Sequence, residues 1–478
     1  RNLSTEPSSS PLQSSKMQSS SFSLDFFFLI CLLFAIGSNA GGAIGVNYGR
    51  IADNLPPPSK VVELLKSQGI SRVKLYDTDS TVLNALANSN ISVVVALPNE
   101  LLSSAAADDS FVDTWMRSNI LPYYPSTRIE AIAVGNEVFV DPANTTSFLV
   151  PAMKNVYASL LKLNLSQIKL SSPVALSCLN QSYPPSSGVF QPDLIPLAIK
   201  PMLEFLSQTE SYLMVNAYPF FSYSANSKEV SLDYALFKPN SGVVDPSNGL
   251  TYYTLLEAQL DAVYAAVSRV GFDNINLVIT ETGWPSEGEE GEIGASAANA
   301  AAYNGNLIAR VLTDKGTPLK PQVPLDVYLF ALFNEDQKPG PTSERHYGLF
   351  YPTEEKVYDV SLASANAGPS VNASQLTDTM STASLGSQTW CVANEDAPED
   401  GLTLALAFAC GDGGADCRPI QDGATCHNPD TLLAHASYAF NSYYQKNLRR
   451  AGTCFFNGMA HAVTQPPHYG ICDYPTGY

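Results

Sequence analysis

The chain has 478 residues, with 26 Lys+Arg against 45 Asp+Glu, a formal charge of −19 and a pI near 4.6. Only 15% of its residues are charged and 45% are hydrophobic, so it has material for a large core and is not a disordered polyelectrolyte. The acidity excludes nucleic acid and anionic membrane as partners, since both require a Lys/Arg surface. A neutral or cationic partner fits better.

The first 40 residues read as outside the fold. Phe26 to Ile36 is a run of eleven apolar residues. That is too short for a membrane span of about 20 residues but matches a secretory h-region of roughly 7–15. Ser38 and Ala40 stand at −3 and −1, which predicts cleavage after Ala40 and export. Residues 1–16 precede Met17 and read as upstream translated sequence. No second apolar run follows, so no membrane anchor is expected. Sequons at Asn90, Asn144, Asn164, Asn180 and Asn372 permit glycosylation of an exported chain.

From 41 to 360 the pattern alternates strand and helix. The predicted strands are Ile44–Tyr48, Val73–Tyr76, Ser92–Leu97, Ile129–Val134, Lys169–Ala175, Tyr212–Ala217, Asn276–Thr280 and Val327–Leu332. Each is a short, largely apolar run, as expected for strands covered on both faces. The clearest helices are Ser59–Ser67, Thr81–Ala87, Val150–Leu163, Tyr252–Val270 and Ser296–Leu312. Eight strands alternating with helices predict an α/β fold, a (β/α)₈ TIM barrel, over 41–360. No dinucleotide glycine motif follows the first strand, which weighs against an open Rossmann sheet. Residues 361–389 hold eleven Ser/Thr and five Ala and read as a linker. Residues 390–478 hold Cys391, Cys410, Cys417, Cys426, Cys454 and Cys472, which predicts a small disulfide-rich module of helices and strands. Cys410 and Cys417 are close enough to pair locally, and the other pairings stay open.

None of the five histidines lies in residues 41–345, and Cys178 is the lone barrel cysteine. A Ser-His-Asp triad, a Cys-His pair and a His- or thiolate-ligated zinc are thereby excluded from the eight strands. No metal and no cofactor is expected. Acid–base or nucleophilic chemistry must rest on carboxylates, placed at the C-terminal strand ends where such barrels keep their sites. Glu137 follows the fourth strand in Val134-Gly135-Asn136-Glu137, and Glu281 follows the seventh in Thr280-Glu281-Thr282-Gly283-Trp284-Pro285-Ser286. Two carboxylates facing one cleft, with Tyr and Trp around them, point to glycosidic-bond cleavage.

That seventh-strand segment resembles the signature of glycoside hydrolase family 17, the plant β-1,3-glucanases. Gly45-Val46-Asn47-Tyr48-Gly49, the Gly135-Asn136-Glu137 turn and Phe333-Asn334-Glu335-Asp336-Gln337-Lys338 resemble the same family, over 43–360. The resemblance implies endo-hydrolysis of β-1,3-glucan with retained anomeric configuration, Glu281 acting as nucleophile and Glu137 as general acid/base. It implies a charge network of Glu335, Lys338 and Glu344 behind the nucleophile. Tyr218 is the candidate tyrosine beside the nucleophile, and Asn136 the candidate contact for the sugar 2-hydroxyl. Tyr48, Tyr76, Trp284 and Phe333 either line sugar subsites or pack at the rim.

The C-terminal segments Trp390-Cys391-Val392-Ala393 and His435–Gln445, with the six cysteines, resemble carbohydrate-binding module family 43, which implies β-1,3-glucan binding. There, Leu432, Leu433, Ala436, Ala439, Phe440 and Tyr443 recur at helical spacing as a core stripe, and Tyr438 and Tyr444 fall off it as candidate sugar-facing rings. Four basic against nine acidic residues leave the module at −5, so recognition would run through rings and hydroxyls. The expected protein is a secreted, monomeric wall-glucan hydrolase. A wall-glucan-binding protein without catalysis and a β-1,3-glucanosyltransferase are the alternatives.

Overall fold

The computed structural model describes residues 42–362 and, with short interruptions, 389–476. The predicted signal peptide and nearly all of the predicted linker lie outside the described residues, as does Asn372. The other four sequon asparagines are exposed.

Parallel strands occupy Ile44–Asn47, Arg72–Lys74, Ser92–Leu97, Arg128–Val134, Lys169–Ser171, Pro173–Ala175, Leu213–Asn216, Leu277–Thr282 and Val327–Leu329. Lys169–Ser171 pairs with the fourth strand and Pro173–Ala175 with the sixth, Leu213–Asn216. These two short segments are one strand interrupted at Ser172, so the row returns on itself as an eight-stranded barrel. All eight predicted strands are present with their ends shifted by a few residues. The seventh runs two residues further than its apolar run suggests, so Glu281 lies within it rather than after it.

Helices cover the barrel where the sequence supplies both an apolar stripe and a start signal. Leu255–Arg269 begins at Thr254, whose hydroxyl oxygen accepts from the Glu257 amide at 3.2 Å. Ala297–Val311 begins at Ser296, which accepts from the Asn299 amide at 3.2 Å. Such caps satisfy amides that have no partner within the helix. Leu102–Ala107, Asp109–Asn119 and Lys200–Gln208 lie outside the five clearest predicted helices.

Inside the barrel, period-two alternation stacks side chains in layers. Val94, Ala96, Ala131, Ala133, Met214, Val278 and Tyr328 form an apolar interior cluster. Toward the N-terminal side Arg72 pairs with Glu130 at 2.9 Å, and the Tyr328 hydroxyl also donates to Glu130. Toward the C-terminal side the interior becomes polar, with Asn47, Lys74, Asn216, Thr280 and Glu281 all buried.

The C-terminal module pairs strand Trp390–Ala393 antiparallel with Ala460–Val463 and packs helices Glu399–Cys410 and Leu432–Lys446. Disulfides join Cys391 to Cys454, Cys410 to Cys417 and Cys426 to Cys472. Ala436, Ala439 and Phe440 are buried core as the apolar stripe predicts, but the two rings off the stripe do not face outward. Tyr438 and Tyr444 are buried, Tyr438 against Tyr474 and Tyr444 bonded through its hydroxyl to Thr389 at 2.9 Å, whereas Leu432, Leu433 and Tyr443 are only partly buried. Asn441 and Ser437 explain the rotation. Their side chains accept from the Cys391 and Ala393 amides, which turns the polar face of the helix, and the tyrosines beside it, toward the small sheet.

Candidate active site

The seventh strand carries a local irregularity. Its register against the sixth strand shifts between Ile279 and Glu281, and against the eighth between Ile279 and Thr282. A bulge of this kind re-aims the residues after it. Thr280 points inward and donates to Asn216 Oδ1 at 2.9 Å, and Glu281 also turns to the barrel mouth instead of outward.

Glu281 is 5% exposed and holds three donors. Lys74 Nζ and the Tyr76 hydroxyl each donate to Oε1 at 2.8 Å, and the Tyr218 hydroxyl donates to Oε2 at 2.9 Å. Lys74 is itself 1% exposed, with its ammonium 3.9 Å from the centroid of the Tyr76 ring. Burial alone would raise the Glu281 pKa, but the Lys74 charge and hydrogen bond, with that of Tyr76, hold it below the ordinary carboxylate value. Burial and the neighbouring anion push both tyrosines well above the phenol value, so they remain donors.

Glu137 sits at a turn of unusual backbone. Gly135 has φ +67° and Glu137 φ +50°, both left-handed. A Cβ on Gly135 would run into Val138 and Asn99, so the position calls for glycine. Asn99 clamps the turn, accepting from the Asn136 amide at 2.8 Å and donating to its carbonyl at 3.0 Å. A non-glycine residue held in this region is a small strain that the surrounding bonds sustain, and such strain collects at functional sites. Asn216 Nδ2 donates to Glu137 Oε1 at 2.9 Å and lies 3.3 Å from Asn136 Oδ1. Asn216 is also the register partner of Glu281 across the sixth and seventh strands, which places the two carboxyl groups at one mouth. Burial, then the Glu281 charge, raises the Glu137 pKa. Two carboxyl groups are thus driven apart, one toward the anion and one toward the acid.

Both groups line a cleft of about 870 Å³, with Tyr48, Tyr76, Asn136, Tyr218, Glu335, Lys338 and Glu344 among its walls. Lys338 pairs with Glu344 at 3.0 Å and lies 4.2 Å from the Phe330 ring centroid. Glu335 accepts from the Ile51 amide at 2.8 Å, and burial raises its pKa. Its carboxylate lies so close to Gly49 that a Cβ there would overlap it. Two expected subsite residues are elsewhere. Trp284 is 0% exposed, packs against Phe220, Tyr223 and Tyr303, and donates its indole N–H to the Gly294 carbonyl at 2.9 Å. Phe333 is buried beside Tyr48 and forms no wall of the cleft. Both rings turn away from the barrel mouth and build the shell behind it.

Residues not singled out from the sequence complete the site. Lys74 lies in the second strand between Arg72 and Tyr76, and period two turns all three inward. Arg50, bonded to Asp77 and Asp79, forms one wall of the cleft. Phe330 and Tyr347 form another, and the buried Tyr347 hydroxyl has no hydrogen-bond partner among the described residues.

A (β/α)₈ barrel with one carboxyl group biased toward the anion and a second toward the acid, in a tyrosine-lined cleft, is the architecture of a glycosidase. Residues 44–362 match Glycosyl hydrolases family 17, and residues 389–461 match the X8 domain. The chain belongs to glycosyl hydrolase family 17. It is 43% identical over 453 residues to "Glucan endo-1,3-beta-glucosidase 13" of Arabidopsis thaliana, covering 94% of this chain and 88% of the relative. It is 39% identical over 457 residues to "Glucan endo-1,3-beta-D-glucosidase" of Olea europaea, covering 95% and 98%. Among solved structures, a β-1,3-glucanase and pollen allergen of Cryptomeria japonica superposes with a TM-score of 0.64 at 43% identity, covering 67% of this chain and 99% of that one.

Proposed function

We propose that the protein cleaves internal β-1,3-glucosidic bonds of glucan by a retaining double displacement, with Glu281 as nucleophile and Glu137 as acid/base. The observation that carries this reading is the opposed setting of the two carboxyl groups, Glu281 lowered by Lys74 and Glu137 raised by burial. In the first step a Glu281 oxygen bonds to the anomeric carbon. The bond from that carbon to the leaving glucosyl oxygen breaks, and Glu137 delivers its proton to that oxygen. In the second step Glu137 takes a proton from water, the water oxygen bonds to the same carbon and Glu281 departs as carboxylate. Two inversions give net retention. Asn136 and the unpartnered Tyr347 hydroxyl are suited to sugar hydroxyls, and the neutral substrate requires no complementary charge from an acidic protein.

The names of the plant relatives support β-1,3-glucan as substrate. Three disulfides support an oxidising, extracellular location. Among the described residues no helix is long and apolar enough to cross a membrane. The module would hold the barrel at high local concentration on an insoluble glucan. Reducing sugar released from a linear β-1,3-glucan, with Glu281→Ala as control, tests the reading. Release by the intact protein and none by the variant is expected. No release by either would favour a glucan-binding protein, and products longer than a supplied oligosaccharide would favour a glucanosyltransferase.

A further inference from the structure

The C-terminal module brings together three side chains that the proposed hydrolysis does not use. His427 and Asp430 lie in the loop after Cys426, and His435 lies in the first turn of helix Leu432–Lys446, which starts at Thr431. One donor atom from each of the three falls within 4.8 Å of the others. His427 Nε2 also faces Asp422 Oδ1 at 3.8 Å and Asp430 Oδ2 at 3.9 Å. The two imidazole rings lie 5.4 Å apart.

We propose that His427, Asp430 and His435 form a binding site for a divalent transition-metal cation of the zinc type, with Asp422 able to supply a fourth ligand. Two imidazoles with carboxylates are a donor set that suits Zn²⁺, whereas Ca²⁺ and Mg²⁺ take oxygen ligands alone. Tetrahedral ligands about 2.0–2.1 Å from zinc stand about 3.3 Å from one another. The three donors must therefore close by at most about 1.5 Å, which rotation of the exposed Asp430 side chain and small shifts of the two rings supply. One ring is tethered to the loop. The His427 carbonyl can only accept, so His435 Nε2–H donates to it at 2.8 Å, which holds that ring against the loop and leaves the lone pair on Nδ1. The bound ion would tie the loop to the helix next to the Cys426–Cys472 disulfide, which gives the site a structural role in the module. The absence of histidine from the barrel strands says nothing against this, because the site belongs wholly to the module.

The alternative is a plain pair between protonated His427 and its two aspartates, and the experiment separates the two. The full chain, without a histidine tag and freed of metal by a chelator, is titrated with Zn²⁺ by calorimetry at pH 7.5. Co²⁺ absorption in the visible reports ligand geometry. Saturation at one ion per chain is expected. His427→Ala and His435→Ala should each weaken binding by at least roughly 10–100-fold, the loss seen when even the outer partners of such ligands are removed. Asp430→Asn, at an exposed position, gives the same reading should a histidine variant fail to fold. Release of reducing sugar from short soluble glucan is expected to stay unchanged in all three. No saturable binding, or binding undiminished in all three variants, overturns the proposal.

Discussion

Replacing Lys74 with Met keeps an unbranched stem in the barrel and removes the cation bonded to Glu281. Both partners are almost fully buried, so water cannot take over the lost charge. Breaking such a pair from one side costs about 3–5 kcal/mol, and 1.36 kcal/mol corresponds to one pKa unit. Tyr76 and Tyr218 still donate to the carboxylate, so the lower end applies and the Glu281 pKa should rise. The sign follows from which form reacts. With Lys74 present the folded pKa is depressed, so the nucleophile is ionised down to pH values below the ordinary carboxylate range. Without it, ionisation is lost as pH falls through the higher value and recovered as pH rises. Glu137 still has to carry its proton, so the active window narrows from its acid side. On the acid limb, below both values, kcat/KM at fixed pH should drop about 100-fold, the equivalent of about 3 kcal/mol. Initial rates on a linear β-1,3-glucan from pH 3 to 8, with circular dichroism to verify folding, measure this. An unmoved acid limb with kcat/KM within threefold of wild type would refute the reasoning.

Further outcomes are expected at other positions. Glu137→Gln should abolish hydrolysis of unactivated glucan yet leave a measurable first step on an aryl glucoside whose leaving group needs no proton, read as a burst of phenol. Trp284→Phe should cost about 2–3 kcal/mol of stability in a denaturant titration through lost packing and the lost bond to Gly294, while KM stays within twofold. Opening the Cys391–Cys454 disulfide by double Ser substitution should destabilise the module by about 4 kcal/mol, from a loop of 63 residues, and leave rates on soluble oligosaccharides intact. Leu404 and Phe408, one helical turn apart and 73% and 47% exposed, form an apolar face on the module. Phe408→Ala should reduce retention on insoluble β-1,3-glucan without changing rates on soluble substrate.

The barrel was legible in the sequence because parallel strands buried on both faces leave uninterrupted apolar runs, and all eight such runs are strands. The carboxylates were legible because each follows or ends such a run within a distinctive motif. What was hidden is orientation. Trp284 is three residues from Glu281, but the register shift in the seventh strand decides which side chains face the mouth, and no local residue pattern announces it. Phe333 points behind the cleft for a related reason, being tied by a bridge to Phe350 rather than standing free at a strand end. Lys74 is not announced by the sequence, because a charge in a short strand that also holds Arg72 carries no motif. Only its burial and its partner reveal that it sets the charge of the nucleophile. Tyr438 and Tyr444 show the same limit in the module, where buried side-chain bonds to the small sheet, not the apolar stripe alone, set the helix rotation.

The central claim is that Glu281 attacks the sugar directly. A 2-deoxy-2-fluoro-glucosyl donor with a good leaving group slows the second step and traps the covalent intermediate. Peptide mass spectrometry of the quenched protein should then find the fluoroglucosyl mass on Glu281 alone. Label on Glu137, or turnover that inverts configuration with no trapped ester, would contradict it.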